Sequence, residues 1–265
     1  MAGITVTPIT GGAPAVAVAV DGSAAMTAVT LKRTADGVTV VAPIQPKTGV
    51  SVSTVQDYEI PWDTDVTYTA TVTTAGGTTT YTSTTVQVSS TDAWAIHPAY
   101  PQRSVIIDQP NPVTGIFVLS KATATRAAQS TEHQVIGSPF PIIVTTGSRR
   151  SVRGSMVVNT TDAADEAALN LLLDDQTPIL IRFPAAMDAG WEDGYYSIGD
   201  VTVDQPGTRG DPRRFFTLPF VRVTRPAVTT ERAWDYPALT AAFADYAALT
   251  AAFADYGALT ANERN

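Results

Sequence analysis

Cysteine is absent from the sequence. That excludes a disulfide framework, a thiolate zinc site and a cysteine nucleophile together. Histidine is scarce: His97 stands beside a proline and His133 in a polar loop. Neither has a partner at metal-ligand spacing such as i, i+4, so neither reads as a metal or catalytic residue. Charge is also scarce, at 16% of residues, and leans acidic, with 25 Asp and Glu against 17 Lys and Arg, a net charge of -8 and a pI near 4.7. Such a balance argues against nucleic acid or an anionic membrane as the main partner. No apolar run approaches a membrane span, and Ala15 to Val20 is too short for the core of a signal sequence. Gly-rich phosphate loops, serine elbows and nucleotide fingerprints are missing too.

What is abundant is Thr and Val, together with 18 Gly and 18 Pro. This composition predicts many short strands and turns, a mainly β chain. The length, 265 residues, suffices for two ordinary domains and an appendage. We assign residues 1–93, 94–226 and 227–265 to these three parts.

In the first part, Ile4 and Val6, then Val16, Val18 and Val20, alternate with small or polar residues as half-buried strands do. Asp21-Gly22 and Asp36-Gly37 supply turns. Val66, Tyr68, Ala70 and Val72 share one face, and Thr67, Thr69 and Thr71 the other. Gly76-Gly77 then turns the chain into a return strand toward Val86 and Val88, with a parity shift after Tyr81 that predicts a register break. This pattern resembles the last hairpin of a fibronectin type III or immunoglobulin-like sandwich. The resemblance implies that Tyr68 is the corner tyrosine, its hydroxyl bonded back to backbone. Trp62 reads as a packed core edge rather than a carbohydrate platform.

The stretch from Trp94 to Pro101 reads as a hinge. Beyond it, strands are predicted at 105–107, 115–119, 142–144, 151–158, 179–183, 195–203 and 215–223. One short helix interrupts them, with Asp162 as its cap, Asp165 and Glu166 at its positive end, and Leu169, Leu172 and Leu173 on its buried face. The second part is thus a β-sandwich or barrel with one short helix. The order of its pieces, from Gly137-Ser-Pro-Phe-Pro-Ile-Ile-Val144 and Ser148-Arg-Arg-Ser-Val-Arg153 through the helix, Pro178-Ile-Leu-Ile-Arg-Phe-Pro184 and Tyr195-Tyr-Ser-Ile-Gly-Asp-Val201 to Arg213-Arg-Phe-Phe-Thr-Leu-Pro219, resembles minor tail proteins of actinobacteriophages. The likeness is to the distal-tail type of siphoviruses and covers about 130 residues plus the tail. It implies a ring-forming structural protein with no catalytic residues and no cofactor.

The chain closes with a tandem decapeptide: Asp235-Tyr-Pro-Ala-Leu-Thr-Ala-Ala-Phe-Ala244 recurs from Asp245 and, in part, from Asp255. Tyr236, Leu239, Phe243, Tyr246, Leu249, Phe253, Tyr256 and Leu259 alternate at spacings of three and four, as a helical stripe does. Ten residues fall roughly 80° short of three helical turns, so the stripe winds around a straight helix. Two forms fit: one helix wrapped steeply against its partner, or short helices restarted at each Asp-Tyr. Either is an interaction tail.

Basic groups at Arg149, Arg150 and Arg153, and at Arg213 and Arg214, suit contacts with carboxylates on a neighbouring subunit. Trp191-Glu192-Asp193 mixes aromatic and acidic residues, but adjacent carboxylates on a turn do not face each other across a cleft as a glycosidase requires. The expected protein is a non-enzymatic virion component of the tail's distal end, made in the host cytoplasm. Its expected partners are the tail tube, tape measure or baseplate hub, in a homo-oligomeric ring. Two rival expectations are a receptor-binding module for a host cell-envelope glycan and a tail-associated cell-wall hydrolase acting through Glu192 or Asp193.

Overall fold

Alternating burial marks two of the first seven strands, Ala15–Asp21 and Val66–Thr74, in the computed structural model, which describes residues 2–109, 115–121, 124–133, 142–145, 147, 151–184, 186–187, 192–205, 207 and 211–226. The seven are β1 (Gly3–Ile9), β2 (Ala15–Asp21), β3 (Met26–Ala35), β4 (Val38–Val41), β5 (Val52–Asp57), β6 (Val66–Thr74) and β7 (Gly77–Thr82). They form two antiparallel sheets, ordered β1-β2-β5 and β4-β3-β6-β7. Val16, Val18 and Val20 of one sheet and Val66, Tyr68, Ala70 and Val72 of the other fill a shared core. The inward period of two is the one read from the sequence.

Turn chemistry fixes the hairpins. Asp36 and Gly37 both take left-handed φ values, 48° and 76°, as a two-residue primed turn between β3 and β4 demands. The break expected after Tyr81 is present: β7 ends at Thr82, and Val86 rejoins through an isolated bridge to Val66. Tyr68 is fully buried, but its hydroxyl donates to the Asp57 carboxylate at 2.9 Å rather than to backbone. Asp57 also receives Arg33 at 2.6 Å and the Glu59 amide at 2.9 Å. A charged carboxylate is a stronger acceptor than a carbonyl, which accounts for the choice.

The remaining elements are β8 (Ala93–Ile96), β9 (Val105–Asp108), β10 (Ile116–Lys121), β11 (Ser130–His133), β12 (Ile142–Thr145), β13 (Arg153–Thr160), α1 (Ala163–Leu173), β14 (Ile179–Arg182), β15 (Gly194–Ile198), β16 (Thr202–Asp204) and β17 (Arg214–Val223). Seven of them run in the order β10-β13-β17-β15-β14-β8-β9, with β16 also on β17. The end strands β9 and β10 lie alongside each other, so the sheet nearly closes into a barrel. Helix α1 packs on β9 and β13 and contributes Leu169 and Leu172 to the core, with Leu173 partly buried beside them. Asp162 caps it as expected, accepting from the Ala164 and Asp165 amides at 2.8 and 2.9 Å.

Two readings change. The stretch Trp94 to Ile96 is not a hinge but strand β8, held by Ala95 and Ile96 in the core and paired with β14 and β9. The continuous strand expected over 195–203 splits into β15 and β16. Both halves pair with β17, which carries Pro219 opposite the break; proline has no N–H to give the ladder, and the Gly199 amide turns instead to the Pro219 carbonyl at 2.7 Å.

Residues 1–97 and 101–226 form one compact unit. The helical repeat expected over 227–265 lies outside the described residues.

Candidate assembly surfaces

Strand β4 is an edge of its sheet, paired among the described residues only with β3. Its sequence is Val-Thr-Val-Val, and all four residues are exposed, Val38 by 64% and Val41 by 62%. Exposed Val52 sits on β5, an edge of the other sheet. The opposite edge of the β4 sheet is chemically different. Strand β7 is largely threonine, and hydroxyls of Thr73 and Thr78, and of Thr71 and Thr80, meet across the β6–β7 pair at 3.0 and 3.4 Å. A hydroxylated edge is at ease in water, whereas an aliphatic edge with free N–H and C=O groups is a template for another strand.

The second surface is a ribbon. Strands β11 and β12 pair with each other, from Ser130 opposite Thr145 to His133 opposite Ile142, and with no other strand among the described residues. Ile142, Ile143 and Val144 are exposed, Ile143 by 65%. Successive strand residues point to opposite faces, so this ribbon shows aliphatic surface on both. A two-stranded ribbon is marginally stable in water unless something covers it.

The basic residues expected at subunit contacts are placed differently from one another. Arg149 and Arg150 lie outside the described residues. Arg153 opens β13, exposed, with its backbone bridged to Thr125 at 2.7 and 2.9 Å. Arg213 is committed to Asp211, reaching its carboxylate at 2.7 Å, and holds that carboxyl down at about 2. Arg214 donates to the carbonyls of Asp211 and Arg213 and lies 3.6 Å from Glu166. The stripe Tyr236, Leu239, Phe243, Tyr246, Leu249, Phe253, Tyr256 and Leu259 lies outside the described residues.

The polar residues that looked most like chemistry are engaged in structure. His97 is fully buried, and its Nε2 is 2.8 Å from Asp175. Burial pushes the Asp175 carboxyl up, but the hydrogen bonds from His97 and Thr177 outweigh it and leave the group below its ordinary value. His133 is not in a loop but on β11. Glu192 pairs with Arg222 and, at 3.7 Å, with Arg126. Asp193 accepts from the Phe183 amide at 2.9 Å and from Arg182 at 3.2 Å. Among the described residues, no group of three or more His, Asp or Glu is arranged to hold a metal ion. No described helix is long and apolar enough to cross a membrane.

A buried arginine carries a role that the sequence pattern did not assign. Arg182 ends β14 with only 6% of its surface exposed. Its Nη1 donates to the Ile60 and Tyr58 carbonyls at 2.6 and 2.9 Å, and its guanidinium covers the Trp62 ring. Trp62 is therefore a packed core edge under an arginine lid. Nearby, Tyr195 donates to Glu59 at 2.5 Å, and Arg225 reaches Glu59 at 2.8 Å. An arginine inside the apolar run Ile-Leu-Ile-Arg-Phe was the available signal, since a charge in such a run must find partners.

No protein-family profile matches this chain, and no curated protein matches its sequence.

Proposed function

We propose that this chain is a structural, non-enzymatic component of a bacteriophage tail tip. It is a distal-tail-like minor tail protein that forms or decorates a symmetric ring between the tail tube and the adhesion apparatus. The observation that carries the reading is the pair of unsatisfied aliphatic surfaces, the β4 edge and the β11–β12 ribbon. Two different edges, each unpaired among the described residues, suit head-to-tail contacts, which close into rings when the rotation allows. The order of elements up to Pro226 and the decapeptide repeat, both read in the sequence, support the tail assignment. The sheet orders β1-β2-β5 and β4-β3-β6-β7, with buried Tyr68 on β6, support a fibronectin type III or immunoglobulin-like N-terminal module. Against the hydrolase alternative stands the use of Glu192 and Asp193 as arginine and amide acceptors.

Purified virions test this reading. The chain should occur as a small integer multiple per tail, located at the distal end. Finding it in infected-cell lysate but absent from virions overturns the structural role.

A further inference from the structure

A cleft of about 870 Å³ lies within the compact unit. That is within the range of small-molecule sites, about 300–1,000 Å³. Its walls come from the β1–β2 turn, the segment 89–92, Trp94 on β8, the end of β9 and the loop after β14. Three carboxylates line it, Asp63, Asp92 and Asp108, and no lysine or arginine does among the described residues. Asp63 is held in a left-handed conformation with φ 57°, its amide fixed to the Val88 carbonyl at 2.9 Å. Asp92 is set by a short turn in which Ser90 bonds both its amide and its carbonyl, at 3.1 and 2.8 Å. Neither Asp63 nor Asp92 makes an ion pair among the described residues. Half-buried Trp94 and Met187 supply the apolar wall.

We propose that this cleft binds a saccharide, and specifically a neutral or amino sugar. Carboxylates carried on a fixed backbone accept hydrogen bonds from sugar hydroxyls or an ammonium, with only the side chains left to order. An indole packs on the apolar C–H face of a sugar ring while the polar groups bond its rim. Asp63 and Asp92, which make no ion pair among the described residues, repel glycans that carry phosphate or uronate. None of the lining residues belongs to β4 or to the ribbon, so sugar binding and assembly are measured separately, and either can fail alone.

The test uses the full chain on an array holding neutral, amino and phosphate-bearing oligosaccharides, followed by titration calorimetry with the best neutral or amino binder. Asp92→Ala and Asp63→Asn should each weaken binding about 10- to 100-fold, the loss of one charge-assisted hydrogen bond. The melting temperature should be unchanged in both. Ala186→Arg, which fills the cleft from an exposed position, should abolish binding. Absence of any neutral or amino ligand, equal binding of phosphate-bearing glycans, or affinity unchanged in all three variants overturns the proposal.

Discussion

The guanidinium of Arg182 lies over the indole of Trp62, 4.3 Å from the ring centroid, and joins a strand of the eight-stranded sheet to the segment leading into β6. Burial first, and the charge of Arg33 after it, lower the pKa of this arginine, and the Asp193 and Asp57 carboxylates oppose that shift. The charge is retained because two carbonyls, a carboxylate and an aromatic face replace its water.

Removing that group should be costly. Arg182→Ala leaves the Tyr58 and Ile60 carbonyls without their donor and uncovers Trp62. We expect a loss of about 3–5 kcal/mol in urea unfolding, as for breaking a buried pair. Arg182→Lys keeps the charge without the planar fork and should lose less. A change below about 1 kcal/mol for the alanine variant would mean that water replaces the arginine freely.

Alkaline pH should weaken the fold. Burial pushes the Tyr58 hydroxyl up to about 12, and Tyr68, Tyr195 and Tyr196 are raised as well, each first by burial and then by a neighbouring carboxylate. Unfolded tyrosines ionise near 10.0, so the folded chain holds these protons more tightly. The resulting stability is fully present below pH 10 and is lost as pH rises through the folded values. Unfolding free energy measured across this range should fall from about pH 10 upward. Tyr68→Phe should flatten the fall and cost roughly 1–3 kcal/mol at neutral pH, because Asp57 loses a donor. A flat alkaline profile would contradict the tyrosine burial.

The helix cap gives a smaller, local effect. Asp162→Ala frees the Ala164 and Asp165 amides and should cost about 1 kcal/mol by denaturant titration. Asp162→Asn, which keeps an acceptor, should lose less. Equal losses would mean that the hydrogen bonds do not carry the cap.

Local chemistry was legible in the sequence wherever a residue's role depends on its near neighbours. The inward face Val66, Tyr68, Ala70 and Val72, the Asp36-Gly37 turn and the Asp162 cap were all readable, because period, φ and capping are set within a few residues. Arg182 was not, because its partners at Tyr58 and Ile60 lie more than a hundred positions away. Strand β8 was misread for a related reason. Ala93 and Ala95 are too small to announce a core strand, and only pairing with β14 and β9 makes them one. The cleft escaped notice because it gathers Thr10, Asp63, Trp94 and Met187 from distant segments.

The edge strands carry the sharpest test of assembly. Val40 is exposed on β4 and Ile143 on the ribbon, so a lysine at either site enters water without disturbing a core. Stability should change by less than about 0.5 kcal/mol. A lysine on an edge opposes pairing with another strand, because its charge would have to be buried in the new contact. Val40→Lys and Ile143→Lys should therefore each fold normally yet fail to enter tail particles. Thr80→Lys, on the hydroxyl-rich β7 edge, should enter them as the parent chain does. Particle incorporation is read by the amount of chain in purified virions, beside the melting temperature of each soluble variant. Normal incorporation of both the Val40 and Ile143 variants would remove these edges from the assembly, and equal failure of Thr80→Lys would show that any added surface charge suffices.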